Sequence, residues 1–263
     1  MAIPKIIHYC WFGGAPKPES VLKCINSWKK YCPDYEIREW TEKDFNVSQN
    51  LYCQQAYEAK AWGFVPDYIR LWIIYHYGGI YLDTDVQILK SFDPLLKHQA
   101  FVGFEKDTNN YVNLGQGFGA EAGNQFIEDN MHLYDNLVFT LPDGTYNKVP
   151  SPVYTTRVLE QHGLDREIDQ LQSLAHVEVY PTDFFCPKSF RTGVIERTKN
   201  TYSIHHFDAS WYTDDMQQKK ENRWKQEKRS YWLHLPCRIA QKILGMDLYL
   251  KVRAFLRGEK INK

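Results

Sequence analysis

The stretch Tyr77-Gly78-Gly79-Ile80-Tyr81-Leu82-Asp83-Thr84-Asp85-Val86 sets two carboxylates one residue apart, at the end of a short apolar run that follows a Gly-Gly break. Read as a strand, residues i and i+2 share a face, so Asp83 and Asp85 would crowd two negative charges together. Like charges that close raise each other's pKa or need a counter-charge. A divalent cation held by oxygen ligands is one such counter-charge. The couplet is therefore a metal-site candidate, of the kind that meets a diphosphate. Isolated Asp-x-Asp strings also arise by chance as turns that cap a strand, and both readings stand at this level.

Other residue types point the same way, each beside a plainer reading. Between Gly63 and Leu82 the only charged side chains are Asp67 and Arg70. Three apart, they share a helix face. They form either a buried ion pair that orients the helix or a polar clamp for a ligand such as a sugar ring. Arg suits the second role because its fork is rigid and always charged. His205-His206 ends a predicted strand; it is either a surface or packing pair or the source of an imidazole, a good third ligand for Mn²⁺. Successive strand residues face opposite ways, so only one of the two would coordinate. Trp11, at the end of the first predicted strand, is either core or a platform for a nucleobase. An aspartyl-nucleophile phosphatase also uses strand-Asp-x-Asp, but it wants Thr or Val two residues after the second Asp, and Gln87 stands there.

These side chains need a scaffold, and the pattern predicts an α/β sheet. Strands are expected at 3–12, 35–40, 80–85, 100–105, 114–120, 177–180 and 201–206. Helices are expected at 18–31, from Thr41, over 51–60, 66–77, 124–137 and 153–162, and from Met216 onward. Pro66 opens its helix in a first turn and Gly78-Gly79 closes it. The segment 103–145, rich in Gly, Asn and Asp, is expected to form loops near the carboxyl ends of strands, where α/β folds bind ligands.

The 263 residues fit one large domain with a small appendage, expected as 1–215 and a basic helical extension, 216–263. Lys+Arg and Asp+Glu balance at 32 each, so no global charge favours nucleic acid. The balance hides an asymmetry: residues 217–263 hold 13 Lys/Arg and 4 Asp/Glu, a net +9, which leaves −9 on the rest. The tail is either a helix packed on the domain or a peripheral membrane helix drawn to anionic lipid. None of the six cysteines forms Cys-x-x-Cys, so a zinc site is not expected. No signal peptide or membrane-spanning run stands out, and reduced thiols in a cytoplasm are the expectation, with the tail as a candidate contact with the inner face of the cell membrane.

Taken together, the segments 3–14, 28–40, 66–86 and 204–211 resemble glycosyltransferases of the DXD sugar-binding-region class, related to yeast initiating mannosyltransferases, lactosylceramide galactosyltransferases and, more distantly, clostridial glucosylating toxins. The pattern Asp67-Tyr68-x-Arg70, then Tyr77-Gly78-Gly79-Ile80-Tyr81-Leu82-Asp83-x-Asp85, carries most of it. The resemblance implies a GT-A fold, with a mixed, mostly parallel central sheet flanked by helices. It implies a nucleotide-sugar donor (UDP- or GDP-sugar), Mn²⁺ or Mg²⁺, and retention of anomeric configuration. By position, Trp11 would stack on the base, Asp67 and Arg70 would hold the sugar hydroxyls, and Tyr81 would line the donor site. Asp83 would meet the ribose or the metal through water, and Asp85 would bind the metal directly with His205 as third ligand. Ser210 and Trp211 would touch the leaving diphosphate. Gln116 stands where many relatives have an Asn beside the sugar. The expected function is transfer to a glycan or lipid-linked acceptor in bacterial capsular or cell-wall polysaccharide synthesis. The alternatives are a protein acceptor, or a sugar-nucleotide or glycan-binding module without catalysis.

Overall fold

The computed structural model describes residues 2–209, 214–245, 248–250 and 252. Two compact units form: Met1–Phe190 with Ile195–Thr213, and Arg191–Val194 with Asp214–Lys263. The first unit holds β1 (Ile6–Cys10), α1 (Glu19–Tyr31), β2 (Glu36–Trp40), α2 (Leu51–Glu58), α3 (Pro66–Tyr77), β3 (Gly79–Tyr81), β4 (Val86–Ile88) and β5 (Ala100–Gly103). It continues with β6 (Phe118–Ala120), α4 (Gln125–Asp135), α5 (Ser151–Gln161), β7 (Gln172–Leu174), β8 (Val177–Tyr180), α6 (Thr182–Phe185) and β9 (Ser203–His205). The second unit is dominated by α7 (Asp214–Leu244).

Seven strands form one sheet in the order β2-β1-β3-β6-β5-β8-β7, and β4 pairs with β9 in a separate ribbon. From the pairings, β2, β1, β3, β5 and β8 run one way, and β6 and β7 run against them. This is the mixed, mostly parallel sheet that the resemblance implies. Both faces are covered at its centre, so the inner strands β3, β5 and β6 are buried at every residue, whereas β2 and β7 at the two edges carry polar residues. Ile7, Ile80 and Phe101 pack on one side with Val21 and Trp28 of α1. Tyr81, Val102 and Phe118 pack on the other with Ile69 and Ile73 of α3, Phe126 of α4 and Leu159 of α5.

Three local expectations change. The segment 80–85 is not one strand: β3 stops at Tyr81, and Asp83-Thr84-Asp85 forms a turn closed by Val86 N–H donating to Asp83 O at 3.1 Å. The apolar alternation of Ile80, Leu82 and Val86 continues across this turn, which is why it reads as strand. Thr41–Asp44 opens no helix. Asp44 turns its carboxylate back onto the Thr41 N–H (3.0 Å) and hydroxyl (2.8 Å), and the helix waits until Leu51, capped by Asn50. Similarly, 114–120 divides into a 3-10 turn at Leu114–Gln116 and the short β6.

In the second unit, Arg191 pairs with Glu227 of α7 at 3.1 Å, and Trp224 packs against Gly193, whose φ of +67° leaves no comfortable place for a side chain.

Candidate active site

Parallel pairing of β1 with β3, in the register Ile7↔Ile80 and His8↔Tyr81, brings the chain beyond both carboxyl ends to one edge of the sheet. Trp11 follows β1 there, and Asp83 and Asp85 follow β3. Gly78 and Gly79, at φ +63° and +102°, make the reversal from α3 into β3. A side chain at Gly79 would collide with the Ile6 carbonyl and the His8 ring.

β9 completes the edge. Its antiparallel pairing with β4 sets His205 opposite Val86, directly after the couplet. His205 Nε2 lies 3.2 Å from Asp85 Oδ1, and ligand atoms of Asp83, Asp85 and His205 all fall within 4.8 Å of one another. Among the described residues this is the one group of three such ligands. The carboxylates converge through the turn rather than through the pleat of a strand. His206 faces elsewhere, with Nε2 3.1 Å from Gln87 Oε1. Phe207 takes φ +56°, rare for an aromatic residue, and this bend aims the Asp208 N–H at Asp85 Oδ2, 2.8 Å away.

The buried carboxylates are balanced by the cationic side chains beside them. Burial pushes the Asp83 carboxyl up, opposed by the Arg70 guanidinium and reinforced by Asp85. Burial pushes Asp85 up too, but attraction and hydrogen bonding from His205, with the Asp208 N–H, outweigh it and hold Asp85 at about 2. For His205 burial disfavours the cation, yet Asp85, Asp83 and Glu105 raise it. His205 Nδ1 is buried with no hydrogen-bond partner. The side chains of Asp83, Asp85 and His205 keep 30%, 14% and 9% exposure, so the Asp83 end is open to a ligand. Two carboxylates, an imidazole with an unpartnered nitrogen and an open side fit a hard or borderline divalent cation.

Arg70 links this group to the helices. It pairs with Asp67 one turn earlier on α3, reaches Asp83 Oδ1 at 3.6 Å and donates to Ser151 Oγ at 3.3 Å. Asp67 and Arg70 are both buried. Tyr81 lies enclosed beneath the guanidinium, 5.7 Å from ring centre to Cζ. The ion pair is thus structural and adjacent to the couplet at once. Arg70 Nε has no partner.

Gln116 is fully enclosed. Its amide nitrogen donates to the Gly103 and Phe104 carbonyls at 2.8 and 3.0 Å, while its Oε1 is buried without a partner. Trp11 is half-buried; its indole N–H donates to Ala15 O at 2.6 Å, and Lys17 lies over the ring at 5.7 Å. Ser210 and Trp211 lie outside the described residues.

Sequence reading missed a supporting chain. Buried Glu105 bonds to Asn113, Asn113 Oδ1 accepts from Gly115 N–H at 2.7 Å, and the Gly115 carbonyl accepts from Asp83 N–H at 3.0 Å. A Cβ on Gly115 would overlap Asp83 Oδ2 and sit 3.0 Å from Arg70 Nη1. Glu105 could have been found as the lone acid closing an apolar strand. Ser151 and Gly115 carry no local signal.

Residues 18–102 match the family model described as glycosyltransferase sugar-binding region containing DXD motif. Over 105 residues the chain is 36% identical to inositol phosphoceramide mannosyltransferase 3 of Schizosaccharomyces pombe, covering 38% of this chain and 29% of that protein. Over 108 residues it is 31% identical to mannosyl phosphorylinositol ceramide synthase SUR1 of Saccharomyces cerevisiae, covering 38% and 27%. The chain thus spans less than a third of these relatives' length. The solved structure of PaToxG glycosyltransferase superposes with a TM-score of 0.50 at 22% identity, over 61% of this chain and 70% of that one, a likeness of fold. Residues 18–102 are accordingly similar to DXD-type glycosyltransferase sugar-binding regions, and the fold that carries them is GT-A.

Proposed function

We propose that the chain is a metal-dependent, retaining glycosyltransferase that moves a sugar from a nucleotide-sugar donor to a glycan or lipid-linked acceptor, in bacterial surface polysaccharide synthesis. The observation that carries this reading is the convergence of Asp83, Asp85 and His205 beside Arg70 at the carboxyl edge of β1 and β3. Asp83, Asp85 and His205 would hold the cation, Mn²⁺ or Mg²⁺. Bound there, it supplies Lewis-acid neutralisation of the diphosphate.

The remaining work falls to the chain. Arg70, locked between Asp67, Ser151 and Asp83, is a preorganised positive group for charge that develops on the diphosphate. The acceptor hydroxyl oxygen bonds to the anomeric carbon as the bond from that carbon to the phosphate oxygen breaks. The bonding pair leaves with the diphosphate, and the hydroxyl proton passes to the departing oxygen on the same face. Among the described residues, Asp83 and Asp85 are taken up as candidate ligands, Asp67 is bound to Arg70 and Glu105 to Asn113, which leaves no carboxylate pair placed for a glycosidase-type double displacement, so configuration is retained by this same-face route. Accumulation of a glycosyl–protein adduct during turnover would contradict it.

Two of the matched relatives are named for mannosyl transfer to a phosphoinositol ceramide, which supports a lipid-borne acceptor and puts a mannose donor in the first panel. The test mixes UDP- and GDP-sugars with the protein and Mn²⁺ and follows release of nucleoside diphosphate. One donor should turn over, Asp85→Ala should lower the rate by roughly 10²-fold or more, and its circular dichroism should match the parent. Binding without release would favour the non-catalytic module, and near-normal turnover by Asp85→Ala would refute the site.

A further inference from the structure

The apolar residues of α7 do not close a core. Trp224 packs against Gly193, and Glu227 pairs with Arg191, so the N-terminal half of the helix is engaged within its own unit. Beyond Glu227 the pattern changes. Trp232, Leu233, Ile239 and Ile243 are 53%, 66%, 50% and 76% exposed, and Leu248 follows at 49%. Trp232, Ile239 and Ile243 are spaced i, i+7, i+11, which at 100° per residue sets them within about 40° of one another around the axis. An exposed apolar stripe of this kind marks an interaction surface.

Charge selects the occupant. From Lys228 to Gly245 the sequence holds Lys228, Arg229, Arg238 and Lys242 and no acidic residue. Lys228 and Arg229 are exposed. We infer that the C-terminal half of α7 lies on an anionic lipid surface, with Trp232, Ile239 and Ile243 entering the headgroup boundary and Lys228 and Arg229 meeting lipid phosphates. A Trp at the apolar edge and a cationic flank are the composition of an interfacial helix. No helix among the described residues is long and apolar enough to cross a membrane, so the contact is peripheral. A second copy of the chain would bring the same cations against themselves, which disfavours self-pairing through this face. The inference is independent of the proposed catalysis.

The test is sedimentation of the full chain with two kinds of vesicle, phosphatidylcholine alone and phosphatidylcholine with about one third phosphatidylglycerol. The protein should pellet with the anionic vesicles and remain in solution with the neutral ones, and added salt should release it. Lys228→Gln with Arg229→Gln should weaken binding roughly tenfold or more. Ile239→Asp with Ile243→Asp should abolish it, with thermal unfolding of the first unit unchanged. Should the apolar pair unfold α7, the charge pair, exposed and outside any core, decides alone. Equal pelleting with both vesicles, absence of pelleting, or a dimer in ultracentrifugation that the Asp substitutions dissolve without any lipid binding would overturn the proposal.

Discussion

At Asp83 a single residue answers to three neighbours. Its N–H is held by the Gly115 carbonyl, its carboxylate faces Arg70, and its open side meets solvent. Gly115 is the tightest constraint, since any side chain there would enter the space of the Asp83 carboxylate. Gly115→Ala should therefore displace Asp83 while leaving the core intact. The expected result is a loss of Mn²⁺ affinity of roughly 10- to 100-fold, the range for disturbed support of a metal ligand, read by titration calorimetry. Unchanged affinity would show that Asp83 does not depend on this backbone contact. Asp67, Arg70, Asp83 and Asp85 were legible in the sequence because each signal is local: two charges isolated on an apolar helix, and two carboxylates after a strand. Ser151 and Gly115 act across long sequence separations through contacts that no local pattern records. The pair His205-His206 was legible as a source of a third ligand from its place at a strand end, and the choice of His205 over His206 came from the family resemblance.

At the scale of elements, the couplet depends on how β3 is interrupted and β4 is tied down. α1 performs the second task. Trp28 donates its indole N–H to the Val86 carbonyl at 2.7 Å, and Ser27 Oγ accepts from the Ile88 N–H at 2.9 Å, both buried. Trp28→Phe keeps most of the apolar volume and removes the donor, leaving a buried carbonyl unpaired. It should lower stability by about 1–3 kcal/mol in urea unfolding; no loss would mean that water replaces the bond.

His8 does the corresponding work at the Gly-Gly break. Its Nδ1 accepts from the Trp40 indole at 3.1 Å, so Nε2 carries the hydrogen and donates to Gly78 O at 3.0 Å. Burial lowers its pKa from 6.5 to about 4. The unfolded chain thus binds a proton below pH 6.5 that the folded chain refuses until about pH 4. Stability should fall as pH drops through that window, by about 3 kcal/mol from this residue in total, and level off below it. A His8→Gln variant should lose that part of the slope; a slope equal to the parent's would contradict the assignment. Most long elements were readable from periodicity. The failures were turns that keep an apolar alternation, as at 80–86, or that imitate a helix start, as at Thr41–Asp44, where side chains bond back to the backbone.

Across the whole molecule, charge and core are divided. The sheet is sandwiched between two apolar clusters, and the strand edges that converge on Asp83 and Asp85 open at one end of that sandwich. The excess of basic residues lies in the last 47 positions, and the excess of acidic ones lies in the remainder. If a carboxylate-rich body is to hold the proposed polyanionic donor, a cation must stand between them. Calorimetric titration of UDP and GDP into the protein, with and without Mn²⁺, tests it most directly. One nucleotide should bind only with Mn²⁺ present, and Asp85→Ala should weaken that binding by roughly 100-fold. Equal affinity without the metal, or an Asp85→Ala protein that binds as the parent does, would contradict it.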